Sequence, residues 1–142
     1  MPLSGHTPIH PRWSEHHRPV ATGTQTGTCT IRRPGTGDGT QDPDGTWHPP
    51  APTVVYAGPC RITPQTDDAR YVVSGERRVT TRGYEVAIEW DAAEILEGDH
   101  LTVDTARDPR LPDTELRVMD VRMASEQWER VLVCEQDLTD AA

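Results

Sequence analysis

The chain has 142 residues, a net charge of −9 and only 34% hydrophobic residues, so one domain with a polar extension is expected. The acidic balance argues against a general nucleic-acid binder, which needs a basic footprint, and no run approaches the ~18 apolar residues of a membrane span. All fourteen basic residues are Arg, and Phe, Lys and Asn are absent; the codons for those three are AT-rich, which points to a GC-rich gene.

Residues 1–24 read as an extended arm. They hold four Pro, four His and almost no apolar periodicity, so burial does not offset their ordering entropy. Such an arm commonly orders on a partner. Arg12, Trp13, His16, His17 and Arg18 are the expected partner-binding residues, Trp and Arg being enriched at interface hot spots. The opening stretch MPLSGHTPIHPRW has no apolar core, so a signal peptide is not expected.

Residues 25–32 alternate around Cys29 and Ile31 and predict a first strand. Residues 34–52 are dense in Gly, Pro and Asp and predict a loop or hairpin tip, with Trp47 as its one large apolar group and an expected interface residue. Residues 53–56 and 60–63 predict a second strand, bent at Gly58-Pro59 by a bulge or at an edge. A long polar loop over residues 66–78 follows, with Tyr71, Val72 and Val73 at its centre. Loops of that length are uncommon in small domains and are usually functional.

Residues 79–90 alternate cleanly. Tyr84, Val86, Ile88 and Trp90 fall on an apolar, core-like face, and Glu85, Ala87 and Glu89 on the other. Residues 91–96 suggest a helical turn stopped by Gly98. Leu101 and Val103 mark a short strand, Pro109 and Pro112 a turn over 108–113, and Leu116 and Val118 a strand within 114–123. In the last strand, 129–135, Val131 and Val133 lie on one face and Leu132 and Cys134 on the other, which suggests cover on both sides. The fold class expected is all-β: a small barrel or sandwich of about six strands over residues 25–138, with a long inter-strand loop and the extended N-terminal arm.

Chemistry-bearing motifs are sparse. His6 and His10 are four apart and His16 and His17 are adjacent, but zinc needs about four ligands in tetrahedral array. No helix is expected in the arm to gather them, so no metal site is predicted. Cys29, Cys60 and Cys134 are odd in number and lack CxxC spacing, which favours reduced thiols in a cytosolic product. All three fall in predicted strands, where buried structural thiols are the expectation, and Cys29 and Cys60 can face one another across adjacent strands. Asp67, Asp68 and Glu76 are loop carboxylates without a pocket, and no nucleophile–base–oxyanion set accompanies them. The PGTGDG run (residues 34–39) lacks the GK[ST] ending of a phosphate loop. Neither catalytic residues nor a cofactor are expected.

The motifs TCTIRRP (28–34), VVYAGPCRITPQ (54–65), RRVTTRGYEVAIEW (77–90), EGDHLTVD (97–104), ELRVMDV (115–121) and RVLVCE (130–135), in that order, resemble the head-to-tail stoppers, or head-completion proteins, of long-tailed phages. The resemblance covers about three quarters of the chain, and the N-terminal arm has no counterpart in it. It implies a small β-barrel that assembles as a ring, a hexamer or dodecamer, beneath the portal and adaptor proteins. It implies that this ring retains packaged double-stranded DNA without sequence preference and presents the docking surface for tail terminator or tail tube proteins. In the family the loop between the second and third strands projects into the channel and closes it. Here that loop maps onto residues 66–78.

The expected channel-gating residues are therefore Asp67, Asp68, Arg70, Tyr71, Val72, Val73, Glu76, Arg77 and Arg78. The acids would repel phosphates. The arginines would either grip them or pair with neighbouring subunits. Tyr71, Val72 and Val73 either pack against their copies at the axis or fold back onto their own barrel. The expected product is a non-enzymatic virion protein of the neck, assembled in the host cytoplasm and without membrane contact. The alternative is a stand-alone β-barrel binding module for nucleic acid or a host protein, which needs exposed aromatics in a basic groove. A cell-envelope hydrolase finds no supporting motif.

Overall fold

A computed structural model describes residues 9–65, 70–74 and 77–138. Among these residues there are one helix, α1 (Trp13–Gly23), and nine strands: β1 (Gly27–Arg33), β2 (Thr40–Gln41), β3 (Trp47–His48), β4 (Thr53–Pro64), β5 (Arg70–Ser74), β6 (Arg77–Glu89), β7 (His100–Thr105), β8 (Glu115–Val121) and β9 (Glu129–Asp137). Six of them run in the order β4-β1-β7-β8-β9-β6, and β4 pairs back onto β6. Every pairing is antiparallel. The result is a closed six-stranded barrel, the arrangement that removes exposed strand edges, and the all-β expectation holds.

Alternation builds the interior. On β1, Gly27, Cys29 and Ile31 are buried, while Thr28 and Thr30 turn outward and bond the side chains of Thr105 (2.7 Å) and Asp104 (2.6 Å). Val86, Ile88, Leu101, Val103, Leu116, Val118, Leu132 and Cys134 join them, together with Cys60, Ile95 and the rings of Tyr56 and Tyr84. With no Phe available, medium-sized aliphatics and thiols line a narrow barrel. Each such side chain contributes roughly 1.5–3 kcal/mol on full burial.

The three cysteines are buried free thiols. Cys29 and Cys60 occupy adjacent strands but are not direct partners: Cys29 stands opposite Gly58 and Cys60 opposite Gly27. Their thiols hydrogen-bond, and that bond together with burial raises the Cys29 pKa, while for Cys60 the same bond lowers the pKa against the opposing effect of burial. Burial alone pushes Cys134 up to about 12.

β4 is continuous through Gly58-Pro59 rather than two bent halves. The bulge lies earlier, at Val55, where the register with β1 slips between Ile31 and Arg32. Pro59 sits just outside the stretch of β4 paired with β6, where a missing N–H is tolerated. Gly58 leaves room for the Tyr56 ring, whose hydroxyl would lie 3.0 Å from any Cβ at position 58. That hydroxyl donates to the Pro59 carbonyl at 2.6 Å.

The helical turn expected over 91–96 does not form. The carbonyls it would bond internally are taken by arginines. Arg130 donates to Ala92 (2.6 Å), Ala93 (2.8 Å) and Trp90 (3.3 Å), and Arg33 donates to Glu94 (3.0 Å). The buried Asp99 carboxylate accepts the Leu96 N–H at 2.9 Å and both arms of Arg33 at 3.1 Å. This anchors the segment so that Ile95 closes one part of the core. Gly98 supplies the left-handed turn (φ 89°) before Asp99.

The 34–52 loop contains a small hairpin of β2 and β3, turned at Asp42-Pro43-Asp44-Gly45. Asp44 accepts the Thr46 N–H at 2.9 Å, which lowers its carboxyl pKa.

Two expectations need correction. The arm was expected to be extended, yet residues 13–23 are α-helical. The segment expected as an irregular loop, 66–78, contains strand β5. It pairs with β6 from Arg70↔Thr81 to Ser74↔Arg77. Tyr-Val-Val opposite Thr80, Val79 and Arg78 is β-prone sequence, and pairing satisfies backbone groups that a loop leaves to water.

Candidate interaction surface

The most distinctive side-chain assembly lies where α1 meets the barrel. Trp13 and His17, one turn apart on the same helix face, pack together with ring centroids 3.9 Å apart. His17 stacks on Trp128 at 4.8 Å, and Trp13 meets the same ring at 6.4 Å. His17 Nδ1 bonds the Trp13 carbonyl at 2.9 Å, which places a proton on that nitrogen. Arg18 lies 3.7 Å over the Trp90 ring, a cation–π contact, and reaches the Gln127 carbonyl at 3.4 Å. Ser14 donates to Glu126. At the helix C-terminus Thr24 accepts from Arg61, which also pairs with Glu129.

An open cleft of about 990 Å³ runs between the helix and the β8–β9 connection; Arg12, Trp13, Met123, Trp128 and Val131 contribute to its lining. Val131 is the outward residue of β9, whose Leu132 and Cys134 face the core. The two-faced apolar pattern of β9 thus has a cause: α1 covers part of its outer side. The cover is thin. Trp13 remains 44% exposed, Trp90 40%, Trp128 39% and Met123 92%.

Of the expected partner-binding residues, Trp13, His17 and Arg18 touch the barrel and Arg12 lines the cleft, whereas His16 stacks on His10 at 5.2 Å. Trp90, Ser14, Glu126 and Trp128 were missed. Trp90 was assigned to the core face, but β6 ends at Glu89 and the alternation stops with it. Trp128 carried a usable signal, since a lone Trp in the polar run SEQWER resembles Trp47 in its loop. Trp47 stands apart on the β2–β3 hairpin, exposed, with its ring packed over Gly39.

The expected gating residues are brought together as backbone only. Arg70, Tyr71, Val72 and Val73 lie on β5, and Arg77 and Arg78 lie opposite on β6. Asp67, Asp68 and Glu76 fall outside the described residues. Residues 77–80 of β6 pair with β5, whereas the barrel ladder to β9 begins at Thr81. β5 and β6 therefore continue as a two-stranded ribbon beyond the wall, by about 13 Å at ~3.3 Å per residue. β5 is the terminal strand of the sheet order.

Among the described residues no group of three or more His, Cys, Asp or Glu could hold a metal ion, and no helix is long and apolar enough to cross a membrane. Asp108 accepts from the Arg110 backbone and guanidinium at 2.8–3.0 Å, which holds its carboxyl at about 2.

Fold and surface together define a closed antiparallel β-barrel with an aromatic helix clamp on one flank and a strand ribbon leaving its wall. The chain belongs to the family of unknown function DUF6093, whose profile matches residues 17–135, from within α1 to near the end of β9. No curated protein and no solved structure matches it.

Proposed function

We propose that the chain is a structural neck protein of a tailed phage. It forms a ring below the portal and adaptor, closes the DNA exit channel after packaging and offers a docking surface to the tail. It acts without catalysis and resides in the virion after assembly in the host cytoplasm. The observation that carries this reading is the β5–β6 ribbon. A barrel closed on itself has no structural need for a two-stranded extension of one wall strand, whereas a subunit that must reach a channel axis does. The ribbon replaces the loop expected from the resemblance and offers something a loop lacks: an open strand edge on β5. Copies brought around an axis can join through such edges by main-chain hydrogen bonding. A ribbon joined to the barrel by one strand pair is also the kind of low-stability element that moves between two packings. The net charge of −9 suits a wall along which DNA slides without sticking.

Removal of Tyr71, Val72 and Val73 takes out the centre of β5. Particles carrying that deletion are expected to package DNA and then lose it, measured as nuclease-sensitive DNA outside heads that still bear portals. Full DNA retention in the deleted particles would refute gating by this ribbon.

The stand-alone binding module draws on the exposed Trp13, Trp90 and Trp128. Arg18 already covers Trp90, and His17 stacks on Trp128, so part of the aromatic surface a ligand base would use is taken. Salt-dependent binding of single-stranded DNA by the monomer would favour that reading instead.

A further inference from the structure

We propose that α1 is an exchangeable arm, which in the assembled protein leaves its own barrel and docks on the Trp90–Trp128 surface of a second copy. This rests on the reading of the chain as a self-assembling subunit and names the contact that joins its copies.

The helix is built to be released. None of its residues is buried, no side chain caps its N-terminus, its last turn has no basic residue, and Pro19 lies inside it. An isolated 11-residue helix is marginal in water even with favourable sequence, and an interior Pro removes one of its hydrogen bonds. α1 therefore owes its helicity to the surface it rests on. That surface lies wholly outside the helix: Trp90 after β6, Glu126, Gln127 and Trp128 in the β8–β9 connection, and Val131 in β9. An identical surface stands on every copy, so whatever favours docking in one chain favours docking across chains equally. Exchange then costs mainly the opening of the joint.

The joint carries its own reason to open. Three residues, Thr24, Gln25 and Thr26, separate α1 from β1. Gln25 is only 6% exposed, and among the described residues neither its amide nitrogen nor its amide oxygen has a hydrogen-bond partner. Nearby, Glu129 pairs one carboxylate oxygen with Arg61, while the other is buried without a partner among the described residues. Buried unpaired polar groups are costly and rare in native structures. Opening the joint returns the Gln25 amide to water. Short connections under strain invite swapping, and a head-to-tail exchange between neighbours closes into a ring when its rotation allows.

The test uses the full-length chain. Ser14 and Glu126, a hydrogen-bonded pair on the surface, become Ser14→Cys and Glu126→Cys in separate variants; the three native thiols are buried. The two variants are mixed at high concentration and oxidised, a double variant carrying both substitutions is oxidised in parallel, single-chain and multi-chain products are separated by size, and the linked peptides are identified by mass spectrometry. Light scattering reports the assembly of the unmodified chain. Exchange predicts 14–126 links between chains, rising with concentration. Oligomers that form with links only within chains overturn exchange and leave the ring reading standing. Interchain links confined to closed dimers support exchange and overturn the ring reading. A chain that stays monomeric at all concentrations with intrachain links only overturns both.

Discussion

At Asp108 a single exposed carboxylate binds three donors of Arg110, two residues along the chain. The consequence is electrostatic and local. The folded pKa is about 2, below the ordinary value of 3.8. A depressed carboxylate pKa contributes stability that is present above the unfolded value and is lost as pH falls through the folded one. The contribution is therefore complete above about pH 4 and fades toward pH 2. Because the pair is exposed, solvent screens it and its effect on global stability is small. Carboxyl-carbon NMR titration should find Asp108 near pH 2, and Arg110→Ala, which removes the guanidinium but keeps the backbone N–H donor, should raise it part of the way toward the ordinary carboxylate value. At the same scale the Cys134 thiol follows burial. Cys134 at about 12 stays protonated and inert at neutral pH, as expected of a packing residue.

At the scale of elements, much of the barrel is legible because its strands obey period two. The alternation in β6 placed Val86 and Ile88 on the core-like face, and both are fully buried; the alternation around Ile31 marked β1 as a strand, and Ile31 is fully buried too. The two-faced apolar pattern of β9 announced a cover, though not what supplies it. The elements that were misread are those decided by distant partners. α1 has a weak local pattern and an interior Pro, and its ordering comes from Trp128 and Trp90, far along the chain. Residues 91–96 have enough local propensity for a turn of helix, but Arg33 and Arg130 arrive from other strands and take its carbonyls. β5 is short and set in polar sequence, so its pairing with β6 was hidden inside an apparent loop. Trp90 shows the limit of periodicity, which does not tell where a strand stops.

The dependence of α1 on the barrel gives an asymmetric prediction. Trp128→Ala removes the ring against which Trp13 and His17 pack. Aromatic contacts of this kind contribute about 0.5–1.5 kcal/mol beyond area burial, which is large for a helix this marginal and small for the barrel. Circular dichroism should lose the helical signal, with the barrel's cooperative unfolding shifted by no more than that amount. Collapse of the whole fold would show that α1 belongs to the core structure and is not an attached arm.

At the scale of the whole molecule, the closed barrel leaves few surfaces on which copies can join. The wall strands have neighbours on both sides, and Leu132, Val118 and their companions are spent on the interior. Among the described residues, two features stand out: the β5 edge and the flank where α1 rests. One is a strand edge open to main-chain pairing, and the other is an aromatic surface only partly covered by its own helix. These two features lie far apart in sequence, β5 in the middle of the chain and α1 near its start. In the ring proposed above, the first would close the axis and the second would grasp a neighbour. The acidic charge keeps such subunits soluble before assembly and does not favour tight DNA binding after it.

The central claim is that this chain functions as a ring. The most direct measurement is electron microscopy of the full-length protein, concentrated and bound at the neck of DNA-filled particles. The account predicts a closed ring of identical barrels around a channel, with the β5–β6 ribbons converging on the axis. Isolated barrels, or a ring whose ribbons point outward and leave the channel open with DNA retained, would contradict it.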